Sequence, residues 1–356
     1  FLNMSSGVNF IIDPWFVSIN SSDGNVSALN SSNGAGIWLR SDNCYFADVF
    51  KYDSDLPSSR NDIITNGVVC EDCLEHTCSS GVMQFGVPSF TGYAVGSVCV
   101  DLSDPSTWKG RVVYHDNKHY LNHDVLLCRG VYNTNSTVVN SSTLSLDCNY
   151  SILNGTSSSP VINGSSSSIS DLEISNCTVY SFRADIGISA NNALLTNIEV
   201  NMSSQGDYGI LCSDTDLVNV SSFNADYGLM LLDGVFHLTN VSLYDPDQSQ
   251  SNSYYDLMVS ADVDGLYMEE VYGIENRPIR LINSSGLYNT GSFAEIIIFD
   301  TDDVELDGVS VVGRPSASGC GTNGIIVLKS SDVYIHDVEM RNVSCYPSPS
   351  LYVIVD

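Results

Sequence analysis

Between residues 172 and 340 one short pattern returns seven times: apolar-x-apolar, two turn-type residues, apolar-x-apolar. It reads Leu172, Ile174, (SN), Cys177, Val179, then Ala193, Leu195, (TN), Ile198, Val200, then Val218, Val220, (SS), Phe223, Ala225. The remaining copies are Phe236, Leu238, (TN), Val241, Leu243; Leu266, Met268, (EE), Val271, Gly273; Val304, Leu306, (DG), Val309, Val311; and Val333, Ile335, (HD), Val338, Met340. Alternation with period two is a strand signal, and the central pair stands where the strand must bend. A unit repeated at a near-regular interval builds a stack rather than one globular core.

A second strand-like run separates successive copies, often opened by glycine: DIGIS (185–189), DYGILC (207–212), DYGLMLL (226–232), YDLMV (255–259), RPIRLI (277–282), EIIIF (295–299) and NGIIVL (323–328). The widest intervals contain polar inserts, DPDQSQSNS (245–253) and GRPSASGCGTN (313–323), read as loops leaving the stack. The interval from 266 to 304 hides a degenerate copy near Leu287. Connections this long do not make hairpins. Like strands therefore pair in parallel at about 4.8 Å per repeat. The fold class expected is all-β, a parallel β-helix solenoid over residues 126–356. A β-propeller needs four strands per blade and a period of about 40–50 residues; the copies here recur too closely.

Residues 1–125 lack the pattern. Their alternating runs (VNFIIDPWFVSI, GIWLR, GRVVYH) and crowded cysteines read as an irregular, disulfide-rich β region that caps or precedes the stack. Residues 126–170 read as its first turns, and the last segment, SPSLYVIVD (348–356), as a strand with no cap. Helix formers are scarce, so little helix is expected.

Lys and Arg total 13 against 42 Asp and Glu, a net charge of −29. Phosphate contact needs a basic face, so nucleic acid is excluded as a partner. No run of 18 apolar residues is present to span a membrane. The sequence starts at Phe1, which reads as a mature exported protein whose signal peptide has been removed. Fifteen Asn-x-Ser/Thr acceptors point to a glycosylated surface protein: Asn3, Asn20, Asn25, Asn30, Asn135, Asn140, Asn149, Asn154, Asn163, Asn176, Asn201, Asn219, Asn240, Asn283 and Asn342. Asn176 and Asn240 stand in the turn pair, where a side chain can point outward.

Of eleven cysteines, ten are assigned to disulfides: Cys44, Cys70, Cys73, Cys78, Cys99, Cys128, Cys148, Cys177, Cys320 and Cys345. Cys148 and Cys177, and Cys320 and Cys345, are about one repeat apart and suited to stapling neighbouring turns. The odd total leaves one thiol free or joined to another subunit. The cluster Cys70-x-x-Cys73-x-x-His76-x-Cys78 has four zinc-type ligands in one tight segment rather than two paired knuckles. Disulfides to Cys44, Cys99 or Cys128 are the preferred reading.

One stretch carries a family likeness. Leu146-Asp147-Cys148-Asn149 and Ile152-Leu153-Asn154-Gly155, followed by Ile174-Ser175-Asn176-Cys177-Thr178-Val179 and Ile186-Gly187-Ile188, resemble the right-handed parallel β-helix repeat family, the pectate-lyase-like superfamily. The closest flavour is that of archaeal, especially methanogen, surface proteins. The likeness covers about residues 130–356. It implies a right-handed coil, and little about function, because this fold hosts lyases, epimerases, adhesins, tailspikes and structural proteins.

An enzyme on this scaffold would need acids and a base on one outward face. The acid candidates are Asp300, Asp302 and Asp303, with Asp185, Asp207 and Asp226 recurring before the Gly-apolar strand. Asp before Gly is also an ordinary turn residue, and a carboxylate ladder needs solvent or a bridging cation such as Ca2+. Arg183, Arg277 and Arg280 form no motif. His115, His119 and His123 have helical spacing in a segment without a helix cap, so they read as solvated loop residues. The expectation is therefore no catalytic set, no cofactor and no metal site. An acidic, glycosylated, disulfide-stapled stack favours head-to-tail self-association, which makes filaments or sheets. The reading is an extracellular structural or adhesive glycoprotein of a cell-surface filament, sheath or layer. The alternative is a carbohydrate-active lyase, hydrolase or epimerase.

Overall fold

The computed structural model describes residues 10–14, 16–19, 35–41, 47–52, 59–70, 72–87, 91–96, 99–139, 144–165, 171–202, 208–243, 255–273, 276–313, 324–341 and 351–354. These are nearly all strand, with one α-helix among them, Arg60–Asn66. The chain divides into two compact units, residues 1–112 with 124–126, and residues 113–123 with 127–356.

The first unit, read from sequence as irregular, holds two antiparallel sheets. One has the order Phe10–Asp13, Phe16–Ile19, Gly92–Gly96, Asp48–Tyr52, Val68–Val69; the other is Ala35–Arg40, Val82–Val87, Leu74–Ser79. Their alternating residues meet in one core: Val17, Val49, Tyr93 and Val95 pack with Leu39, Met83, Phe85 and Val87. The helix starts at Ser59, whose Oγ accepts the Asp62 N–H at 3.2 Å. It buries Ile63 among Phe16, Phe50 and Ala94. Arg111 is buried beside Asp48 with its guanidinium 5.7 Å from the Phe50 ring centre. Burial pulls its pKa down to about 10, against the pull of Asp124.

In the second unit the pairing between repeats is parallel throughout the described residues. The chain visits three sheets in rotation. Ile279–Ile282, Glu295–Phe299, Ile325–Leu328 and Leu351–Ile354 form the first; Gly286–Tyr288, Val304–Asp307 and Val333–His336 the second; Ser292–Phe293, Ser310–Val312 and Glu339–Arg341 the third. The copy near Leu287 is thus a paired strand. Earlier in the unit the same rotation runs through long bent strands. Leu172–Ser181, Ile186–Met202, Tyr208–Phe223, Gly234–Ser242 and Val263–Tyr272 pair in that order.

The bends explain the turn pair. Asn176, Asn197, Asn219, Asn240, Glu270, Gly308 and Asp337 occupy equivalent corners, and all have φ between 52° and 67°. Only Gly and short polar residues take this left-handed conformation cheaply. Inward side chains then line up as columns: Ile174, Leu195, Leu217, Leu238, Met268, and beside it Cys177, Ile198, Val220, Val241, Val271. This register corrects the third copy. Val218 and Asn219 make the corner, so Thr215 and Leu217 point inward, with Val220 and Ser222 beyond it. Apolar content suggested Val218, Val220, Phe223 and Ala225; the need for a left-handed residue at the corner selects Asn219 instead. Gly209 lies where a Cβ would come within 2.7 Å of the Gly228 carbonyl and strike Ser222 Oγ, so the close approach of neighbouring turns requires glycine there.

Candidate functional site

The x of each first apolar-x-apolar half faces outward, and register stacks these residues as a second kind of column. It runs Glu173, Leu194, Asp216, His237, Tyr267 across five successive strands. A strand spacing of about 4.8 Å separates neighbours. His237 Nδ1 lies 2.7 Å from Asp216 Oδ1, and the His237 ring stacks on Tyr267 with centroids 4.7 Å apart and planes 8° from parallel. Asp216, His237 and Tyr267 are all about half exposed.

Two concavities share His237. One, of about 490 Å³, includes Glu173, Leu194, Asp214, Asp216 and Val235 in its lining; the other, of about 340 Å³, includes Thr239, Tyr267, Glu269, Leu281 and Asn283. Together they form a trough along the stacking direction. Asp214 also fixes the trough wall, because its Oδ1 accepts the Val235 N–H at 3.0 Å. Carboxylates, an amide and an imidazole stacked on a phenol ring make a surface that can hydrogen-bond and pack at once. Such a trough suits an extended polar ligand. The Asp216–His237 hydrogen bond also fixes the imidazole in the way a proton-transferring histidine is oriented by a carboxylate.

Apart from Asn283, a glycan acceptor, none of these residues carries a sequence motif. The signal was present in the x position of each copy, but the third copy's misplaced register removed Asp216 from the column. The acid candidates lie elsewhere. Asp300 and Asp303 take left-handed corners, with φ of 48° and 55°. Asp302 accepts both Ser331 N–H (2.9 Å) and Ser331 Oγ–H (2.6 Å), bonds that hold its pKa below the usual carboxylate value. Asp185 sits at a turn whose carbonyl accepts Tyr208 N–H, and Asp226 lies in the corresponding bend two repeats further on; Asp207 lies outside the described residues. His115 ends one strand and pairs with Asp116 in solvent. His119, read as a loop residue, is buried in the strand Lys118–Leu121 against Thr134 Oγ1 and Tyr114. That correction follows from the period-two pattern of Lys118–Leu121, which turns His119 and Leu121 inward.

The glycan acceptors divide by geometry. Asn240 Nδ2 donates to Asn219 Oδ1 (2.8 Å), Asn219 to Asn197 (3.1 Å), Asn197 to Asn176 (3.1 Å), and Asn176 to Asp147 Oδ1 (3.0 Å). This amide ladder runs one way through four corners and ends on a carboxylate, so each bond polarises the next. Asn154 Nδ2 donates to Asn133 in the same manner. An N-glycan is joined at Nδ2, so the ladder competes with modification at Asn176, Asn219 and Asn240. Asn149 takes a left-handed corner, while Asn135, Asn163 and Asn201 accept hydrogen bonds through Oδ1. Asn283 is exposed at the trough end. Asn3, Asn20, Asn25, Asn30, Asn140 and Asn342 lie outside the described residues.

Cys148 is bonded to Cys177, joining neighbouring turns. Cys70 is bonded to Cys73, not to a distant cysteine as the crowded segment suggested, because the three-residue separation already brings their Cα atoms to 5.5 Å. Cys78, Cys99 and Cys128 are also disulfide-bonded, which removes the tight Cys/His segment as a zinc centre. Cys44, Cys320 and Cys345 lie outside the described residues. Cys212 is a free thiol in an inner column between Ala190 and Leu231, and burial raises its pKa far above the usual value. Disulfides of this number mark a secreted or extracellular protein. No helix among the described residues is long and apolar enough to cross a membrane.

No family model and no curated protein matches the sequence. Among solved structures, the catalytic domain of a GH87 alpha-1,3-glucanase in complex with nigerose is similar at 8% identity, over 90% of each chain, with a TM-score of 0.15. Two variants of that domain give 10% and 9% identity, TM-scores of 0.17 and 0.16, and the same coverage. Likeness at this level carries no argument about fold or activity.

Proposed function

We propose that this chain is an extracellular structural and adhesive glycoprotein on a right-handed parallel β-helix, whose outward trough holds a saccharide chain of a surface polymer. The observation that carries the reading is the column Glu173–Leu194–Asp216–His237–Tyr267. It presents acceptors, an imidazole and an aromatic face at a regular rise, which suits a ligand that is itself a regular polymer. The apolar columns beneath and the amide ladder along the exposed corners favour a rigid rod that holds the trough in shape. On this reading glycans occupy acceptors such as Asn283 and spare those in the ladder. The subunit associates with further copies in a cell-surface filament, sheath or layer.

A glycan array probed with the purified chain tests the binding. Retention of an extended polysaccharide, weakened at least tenfold by Tyr267→Ala, is the expected result. No retained glycan, or retention unchanged by that substitution, ends the proposal. Electron microscopy of native material tests association; dispersed single subunits at cellular concentration would remove the assembly part.

The Asp216–His237 pair favours a second reading, a carbohydrate-active enzyme with this pair in proton transfer. Release of new reducing ends or unsaturated sugars from a bound polysaccharide, abolished by Asp216→Asn, would establish it in place of the adhesive one.

A further inference from the structure

A second acid–imidazole cluster lies apart from the trough, on the outward face of the sheet formed by Gly286–Tyr288, Val304–Asp307 and Val333–His336. Register places Asp307 directly beside His336 on the next strand, and Glu305, two residues back, on the same face. Asp337 follows His336 at a left-handed corner, φ 52°, which turns its carboxylate back toward the ring.

The two ring nitrogens have different surroundings. Nε2 lies 2.7 Å from Glu305 Oε1. Nδ1 faces two carboxylates, Asp307 Oδ1 at 3.3 Å and Asp337 Oδ2 at 3.7 Å. The ligand atoms of Asp307, His336 and Asp337 all lie within 4.8 Å of one another. A tetrahedral zinc with bonds of about 2.0–2.1 Å sets its ligand atoms about 3.4 Å apart. Two of the three edges are near that length already. Glu305 occupies the position of the outer carboxylate that accepts the remaining ring N–H of a metal-bound histidine, fixing tautomer and ring orientation.

We propose that His336 Nδ1, Asp307 and Asp337 bind a divalent transition ion of the zinc type, with Glu305 as the orienting partner of His336. An imidazole among the ligands selects such an ion over Ca2+, which takes oxygen ligands. The ion neutralises two carboxylates that face one another and leaves the outer coordination position to water. It also clips one repeat to the next. Asp307 and His336 are 29 residues apart in sequence, the same separation as the Cys148–Cys177 disulfide earlier in the stack.

The test is calorimetric titration of zinc chloride into the purified, chelator-treated full chain, with calcium chloride as comparator. One equivalent of zinc, and none of calcium, is the expected difference between the parent chain and His336→Gln. Glu305→Gln should weaken that equivalent about 10–100-fold. Asp337→Asn, which keeps a residue tolerant of the left-handed corner, should weaken it as well. His237→Gln should leave it in place. Zinc should also raise the melting temperature of the parent chain and of His237→Gln, but not of His336→Gln. A His336→Gln chain that retains the full zinc stoichiometry and melting shift overturns the proposal, as does an effect of Asp337→Asn no larger than that of His237→Gln.

Discussion

The two units solve the same problem, burying one face of short strands, in opposite ways. In the antiparallel unit the core joins residues distant in sequence: Phe16, Phe50, Ile63 and Ala94 meet around one helix, and Val17 packs in one cluster with Phe85 and Tyr93. Such a core exists only when every part is present. In the parallel unit each inward residue stacks on its own counterpart one repeat away, as Leu195 does on Ile174 and Leu217 on Leu195. Stability there is a sum of neighbour interfaces. The difference teaches that a lesion in the first unit is global and one in the second is local.

The largest effect should separate the two behaviours. Phe50→Ala removes a fully buried ring and should cost about 3–5 kcal/mol, and hydrogen exchange should show protection lost across both antiparallel sheets together. Leu217→Ala should cost about 2–5 kcal/mol, with lost protection confined to strands within one or two repeats of position 217. Its neighbour sharpens the register: Val218→Ala, at the half-buried corner, should stay within about 1 kcal/mol in chemical denaturation. Equal costs at 217 and 218 would contradict the corrected third copy.

A smaller effect tests the ladder. Asn197→Gly keeps the left-handed corner but removes one donor and one acceptor, and should cost about 1–2 kcal/mol. Asn197→Ala should cost more, because alanine meets the corner's strain as well.

The smallest effect is a titration. In metal-free protein the hydrogen bond to Glu305 holds the His336 imidazolium above its ordinary value of 6.5 against the opposing desolvation, with a smaller upward pull from the charge of Asp307. A raised pKa means that this pairing favours the folded state below the unfolded value. The contribution fades as pH rises through the folded value. Titration of the ring protons by NMR should show the midpoint above 6.5 and a fall toward it in Glu305→Gln.

Periodicity was sufficient to read the parallel strands, the inward columns and the bend at the turn pair in every copy but the third, because alternation and corner chemistry are local demands that the copies repeat. Even the Cys148–Cys177 staple was legible, since one repeat of separation brings equivalent positions together. The antiparallel unit was opaque because its pairing is non-repetitive and its core depends on contacts between distant segments. The outward residues were hidden for another reason. Water accepts any polar side chain at an x position, so nothing in one copy distinguishes His237 or His336 from Leu194. Only pairing in register sets His237 between Asp216 and Tyr267, and His336 beside Asp307. A shift of three residues in a single copy, 215 for 218, was enough to conceal the first of these clusters. Periodicity therefore decides what the chain buries, while the tertiary structure decides which exposed groups become neighbours, because proximity across strands depends on register that no single repeat encodes.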